Sequence, residues 1–273
     1  MQQKWIALTA GLGTSEFEAA ADRVKERLEK FPQINMVKAV KSGDLRVECP
    51  RVFEKYEDYL NSRTKGYGYM AYKAELVQSA FEGAYGECDG VIWVDAGCEV
   101  VVNSLSKKKL DDFINYAEEN GVACFTLDTD ELMYTKRDLF RAFPSIDPES
   151  AGPQIQTTWF LLHGSTGKQV SQEWLRVVMD GIENLDLSPS RNGEHPEFIE
   201  HRNDQSIFSL VCKELEIKPM AYKPVNGNSS FKSSLRGIPH PFWTSRNRTG
   251  QTTIPGWVRL LERIDFVDRA KPS

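Results

Sequence analysis

Four short stretches of this 273-residue chain carry side chains able to do chemistry. VIWVDAGCEV, residues 91 to 100, reads as a buried strand that delivers Asp95 at its tip, with Gly97 two residues on. RTKGYGYMAYK, residues 63 to 73, is a basic and aromatic junction that ends on Lys73 and opens a helix. HRNDQSIFSL, residues 201 to 210, opens another helix with His201, Arg202, Asp204 and Gln205, and GIPHPFW carries His240. A carboxylate at the carboxyl end of a strand is where α/β sheets hold ligands. An acid of this kind suits a hard divalent cation, magnesium or manganese, which Cys98 does not. Such a cation, or Lys and Arg, neutralises the charge that develops on a phosphate leaving group. Glycine at 97 lets the backbone come close to a diphosphate.

Plainer readings stand beside these. Asp95 and Gly97 are ordinary turn residues. Tyr67, Tyr69 and Tyr72 suit core packing as well as they suit a stacking platform. Lys73 reads equally as a solvated helix charge, and Asp204 as an N-cap or first-turn acid favoured by the helix dipole. His240 has no second ligand at a recognisable spacing. Two glycine patterns are decoys. Gly11-Leu12-Gly13 follows a strand, but Glu16 stands where a dinucleotide fingerprint needs its third glycine. HGSTGKQV imitates a phosphate loop, yet Leu162 and Gln169 occupy its first glycine and its metal-binding hydroxyl positions, which leaves a turn between strand and helix.

These residues need a scaffold, and hydrophobic periodicity outlines one. Strands are expected at 5–9, 34–40, 90–95, 122–127 and 156–163. Helices are expected after a cap at Thr14 or Ser15, over 51–61, around 76–84, around 110–117, over 172–182 and from HRNDQS onward. Residues 143–154, with three prolines, read as a loop, and the Gly-, Pro- and Arg-rich tail from 223 onward reads as a surface wrap. Strand–helix alternation through residue 127 predicts a mainly parallel, doubly wound sheet in a single domain. Its two halves divide near residues 1–127 and 128–273.

Composition narrows the classes. Net charge is −5, against the basic footprint of nucleic-acid binders. No segment approaches the roughly 20 apolar residues of a membrane span. Five scattered cysteines fit reduced thiols better than disulfides or a zinc site. A cytoplasmic protein is expected, with peripheral association at the inner face of a membrane left open.

In order and spacing, GYGYMAYK, VDAGCE and HRNDQS resemble a group of bacterial and viral glycosyltransferases of the GT-A fold, over residues 5 to 215. The layout is more distantly similar to glycogenin-like and lipopolysaccharide galactosyltransferases, whose acidic strand end is Asp-x-Asp. The resemblance implies a GT-A-like α/β fold that moves a sugar, a hexose first among candidates, from a UDP- or GDP-sugar to a saccharide or lipid-linked acceptor. It implies donor contacts at Thr9, Ala10, Gly11, Lys73, Asp95, Ala96 and Gly97. It puts Asp204 and Gln205 at the reacting centre, and Gln156, Thr157, Thr158, Trp159, His201 and Arg202 at the sugar or acceptor. A magnesium or manganese ion would fall to Asp95 and His240. One departure bears on that ion: Gly97 stands where the second acid of Asp-x-Asp belongs. A catalytically silent sugar- or nucleotide-binding protein is the rival reading, and the broken glycine fingerprint weakens a third, a nucleotide-dependent oxidoreductase.

Overall fold

In a computed structural model, which describes residues 3–221 and 238–260, the chain forms a mixed α/β fold with a central, mainly parallel sheet flanked by helices. The first strand, β1 (Trp5–Gly11), turns its apolar residues to both faces, because helices cover both. Helix α1 (Ser15–Leu28) follows, capped as expected by Thr14, whose hydroxyl accepts from the Phe17 amide at 3.4 Å. Glu16 and Glu18 in its first turn and Lys25 and Arg27 in its last complement the helix dipole. Then come β2 (Met36–Lys41), α2 (Pro50–Tyr56), α3 (Tyr72–Phe81) and β3 (Gly90–Val94). After them run the short β4 (Glu99–Val100), α4 (Ser104–Asn120), β5 (Val122–Ala123), β6 (Thr126–Asp130), β7 (Pro153–Ile155) and β8 (Trp159–His163). Helices α5 (Gly164–Asp180) and α6 (Asp204–Glu214) and strand β9 (Phe242–Trp243) complete the set used below.

The sheet order is β2-β1-β3-β8-β5. β1 pairs parallel with β2 and with β3, while β8 runs antiparallel between β3 and β5. Helices α2, α3, α5 and α6 bury one face, around Trp93, Phe160, Trp174 and Phe208. Helices α1 and α4 bury the other, around Trp5, Phe113, Phe125 and Trp159. The chain leaves β1 first toward β2 and later returns on its other side as β3. The carboxyl ends of β1 and β3 therefore flank the topological switch point, where α/β sheets bind ligands.

Several expected elements differ. The strand at 122–127 divides, its second part extending as β6 to pair with β7, which rises from the expected loop. HGSTGKQV is not a turn followed by a helix at 172; α5 begins at Gly164 itself. Gly164 has φ +60, and a side chain at Gly167 would strike the Leu162 backbone, so these glycines let the helix fold straight back from β8. The tail is more than a wrap. β9 pairs with β4, and Trp243, Ile254 and Val258 form a small core of their own with Val101; residues 223–237 and 261–273 of that tail lie outside the described residues. No helix among the described residues is long and apolar enough to cross a membrane.

Candidate functional site

The three motifs converge at the switch point. Strand β3 ends on Asp95, whose amide donates to Thr158 O at 2.8 Å and whose carbonyl accepts from Cys98 N, making the DAGC turn. Helix α3 projects Lys73 inward beneath this strand end, and α6 begins with Asp204 opposite. Lys73 Nζ stands 3.0 Å from Asp95 Oδ1 and 2.9 Å from Asp204 Oδ2. Its third acceptor is Thr157 O at 3.3 Å, so all three ammonium protons are used. The Trp93 ring lies under the same ammonium, 5.2 Å to its centroid, while its indole N–H donates to Asp95 Oδ1 at 2.6 Å. Thr157 Oγ1 donates to Asp204 Oδ2 at 3.3 Å.

Burial orders the three charges. The side chains of Lys73 and Asp204 are 1% and 4% exposed, that of Asp95 30%. Lys73 is thus no solvated helix charge. Burial works against its proton, but Asp204 and Asp95 outweigh that and hold its pKa above the ordinary lysine value. Burial raises the Asp204 carboxyl above the usual range; Lys73 opposes the rise and Asp95 adds to it. One ammonium thus faces two carboxyl groups, and Asp95 is the open face of the cluster.

GYGYMAYK reaches this geometry by an unusual path. Its first five residues do not begin the helix. Gly66, Tyr67, Gly68, Tyr69 and Met70 all have positive φ, between 54° and 90°, and form a left-handed turn that ends just before α3. The three non-glycine residues cost about 1–2 kcal/mol each. Such strain persists where surrounding structure imposes it and collects at functional sites. Tyr67 packs against Gly13, where an added Cβ would lie 3.0 Å from the ring. The turn thereby ties the GYGY motif to the end of β1.

The remaining expected residues are placed unevenly. Thr9 is buried at the end of β1, its hydroxyl without a hydrogen-bond partner among the described residues, and Ala10 is half-buried. Gly11 is explained by packing: a Cβ there would lie 1.9 Å from Phe17 O of α1. Ala96 is buried and Gly97 is covered by the tail, Asn247 N donating to its carbonyl at 2.8 Å. Gln205 is half-buried and donates to Gln154 Oε1 at 2.5 Å. The Gln156 backbone amide donates to Phe125 O, and its Oε1 is buried without a hydrogen-bond partner among the described residues. Trp159 lies wholly inside the opposite core among Phe113, Phe125 and Phe242, away from any surface a sugar could touch. His201 is also sealed in. Its Nδ1 accepts from Lys136 N and its Nε2 faces Asn184 O at 3.0 Å; burial pushes its pKa down to about 3, so it is neutral. Arg202 stacks on Tyr134 at 3.5 Å and reaches Thr129 and Gln154.

The fit of a divalent ion can be judged from the donors. Asp95 Oδ1 already accepts from Lys73 and Trp93, and Asp204 faces Lys73 and Thr157 rather than open space. His240 is half-buried beyond the end of β4, since Pro241 O accepts from Val101 N, and burial, then Lys109, lowers its pKa. Among the described residues, no three His, Cys, Asp or Glu side chains gather as a metal would require. A cation already lies between the two carboxylates, and it is Lys73. These residues do not fit a resident magnesium or manganese ion.

Sequence reading missed Trp93 and Thr157 as partners of the acids. The signal for Trp93 is present, since residues i and i+2 of a strand share a face. No such signal marks Thr157, whose role depends on β8 running antiparallel beside β3.

No family model matches the chain, and no curated protein matches it. Among solved structures it is similar to mouse xyloside xylosyltransferase 1 in its apo form, with 12% identity and a TM-score of 0.49, covering 90% of this chain and 99% of that one. It is also similar to a glycosyltransferase involved in glycosylation of the major capsid of PBCV-1, with 13% identity and a TM-score of 0.48, covering 95% and 99%.

Proposed function

We propose that the chain is a nucleotide-sugar-dependent glycosyltransferase of the GT-A type, acting on a saccharide or lipid-linked acceptor. The observation that carries this reading is the meeting of Lys73, Asp95 and Asp204, from three motifs far apart in sequence, at the β1/β3 switch point. A nucleoside would lie along the end of β1 in the half formed by residues 1–127, and the acceptor would approach from the half formed by residues 128–273. Asp95, the accessible acid, would touch the ligand. It would orient a sugar hydroxyl in retaining transfer, or accept the acceptor's proton in inverting transfer. Asp204 would act through Lys73, holding the ammonium where it fixes Asp95, and Gln205 would help through Gln154.

The test is a panel of UDP, GDP, CDP and dTDP read by thermal denaturation in a chelator. A ligand at a hundred times its dissociation constant adds about 2.7 kcal/mol of stability. If none moves the melting temperature, the reading fails. The mutual satisfaction of Lys73 and its acids also favours a second reading, a sugar- or nucleotide-binding protein without turnover. Stabilisation by a nucleotide-sugar, with no release of nucleoside diphosphate over water or acceptors, would select it.

A further inference from the structure

The Asp95 carboxylate is carried beyond the support of the sheet. The ladder between β1 and β3 ends at Leu8 and Trp93, and that between β3 and β8 at Val94 and Trp159. Past those pairs the Asp95 amide still reaches Thr158 O, and its carbonyl closes the turn on Cys98 N. Carbonyls withdrawn from water need donors. Those of Ala96 and Gly97, in the middle of the turn, take theirs from distant parts of the chain.

Ala96 O accepts from Arg23 Nη2 of α1 at 2.8 Å. Gly97 O accepts twice, from Ser245 Oγ at 2.9 Å and from the Asn247 amide at 2.8 Å, which fills both of its lone pairs. Donors two residues apart meet one oxygen only where the backbone between them bends sharply. The residue between them is Arg246, with φ +53, in the left-handed region that favours glycine. The Ser245 amide tightens the same bend by donating to Trp243 O at 2.9 Å. Strain of this kind persists where surrounding structure imposes it. Here it sits at the contact between tail and turn, since Arg246 Cα stands 3.5 Å from where a Cβ on Gly97 would lie. Ser245 is 6% exposed, so its hydroxyl has left water to make this bond. Thr253, in the same tail, is a contrast: its hydroxyl donates to Glu99 Oε1 at 2.9 Å, beyond the turn.

We propose that Ser245 is a positioning residue for Asp95. It holds the Gly97 carbonyl against the tail and so fixes where the turn carries the carboxylate over Lys73 and Trp93. Asp95 Oδ1 receives Lys73 Nζ at 3.0 Å and the Trp93 indole N–H at 2.6 Å, and bonds this short weaken steeply with displacement. The tail thereby becomes part of the site, 148 residues along the chain from Gly97. Its effect on turnover rests on the glycosyltransferase reading, in which Asp95 touches the ligand; the placement of Asp95 does not.

The experiment reads that placement in the full chain without any ligand. Proton–nitrogen NMR of protein labelled at its six tryptophans follows the Trp93 indole N–H, and Trp93→Phe identifies its signal. A hydrogen bond to a carboxylate draws this proton downfield. Ser245→Ala should move it upfield, with only the small fall in melting temperature expected for one hydroxyl. Thr253→Val also removes a hydroxyl from the tail, and should leave the Trp93 signal in place. An unmoved Trp93 signal in Ser245→Ala overturns the proposal. So does an equal displacement by Thr253→Val, or a general loss of structure in Ser245→Ala, since either makes Ser245 ordinary support for the tail. With the nucleotide-sugar of whichever nucleotide stabilises the protein, Ser245→Ala should lower kcat about tenfold at little change in KM. Unchanged kcat beside a displaced Trp93 signal overturns the role of Asp95 in turnover and leaves its positioning by Ser245 intact. An unmoved Trp93 signal beside turnover lost in Asp95→Asn does the reverse.

Discussion

Two buried ion clusters lie either side of the DAGC turn, and they are built to different ends. In one, Arg23 and Glu99 meet at 2.6 Å with side chains 6% and 2% exposed. Arg23 also binds Ala96 O and Asn247 O, while Glu99 accepts from Asn247 Nδ2, Thr252 Oγ1 and the Thr253 amide and hydroxyl. The protein itself occupies its whole surroundings. In the other, Lys73 is as deeply buried, but one of its two acids, Asp95, retains a face to solvent. The difference teaches how to tell a clasp from a site: both are charged and buried, but the donor that the clasp leaves unpaired among the described residues, Arg23 Nε, is sealed from solvent, whereas Asp95 keeps an open face.

The comparison can be broken first by stability. Glu99→Gln leaves Arg23 buried with no negative partner, which should cost about 3–5 kcal/mol in urea unfolding. A loss under about 1 kcal/mol would mean that the clasp is not what holds the tail. Lys73→Met strips the cation from between two acids. It should cost less, about 1.5–3 kcal/mol, because Asp204, its pKa already raised by burial, can take up a proton instead. Near-zero loss would return Lys73 to the role of a free charge.

His201 belongs with the clasp rather than with the site, and pH should reveal it. Its folded pKa, about 3, lies below the unfolded value of 6.5, so the unfolded chain binds the proton more readily. Its contribution to stability is complete above pH 6.5 and is lost as pH falls toward 3, at about 1.4 kcal/mol per pH unit. His201→Gln should flatten the denaturation-midpoint profile in that window; an unchanged profile would show that the ring is not sealed. The smallest effect on stability should come from Asp95→Asn, within about 1 kcal/mol for so accessible a group. On the proposed function the same change lowers turnover at least about tenfold, and unaltered turnover would remove Asp95 from the reaction.

Much of the β1/β3 edge was legible. Periodicity located β1, α1, β3 and α4, because both their faces or one clean stripe must be apolar. Three motifs chosen for their chemistry do come together. What escaped reading depends on partners or on handedness. Trp159 looked available for a sugar because a strand residue gives no sign of which face it takes, and it went to the core. Lys73 reads from sequence as a donor contact or a solvated charge, and nothing in GYGYMAYK announces the two distant acids that hold it. The left-handed turn did leave a trace, glycines at 66 and 68, but Tyr69 and Met70 adopt positive φ with no glycine to mark them. β7 was hidden by the prolines around it, and it exists only because β6 offers it an edge.

The clasp also imposes a timetable. Glu99 waits for Asn247, 148 residues further along the chain. At ordinary elongation rates of about 5–20 residues per second, roughly 7–30 s pass between the synthesis of the two. During that interval Arg23 and Glu99 can find each other but not the tail that seals them, and the DAGC turn lacks its cover. The strand that delivers Asp95 is thus among the earlier parts of the molecule to be made, and the edge it opens onto is among the last to be finished.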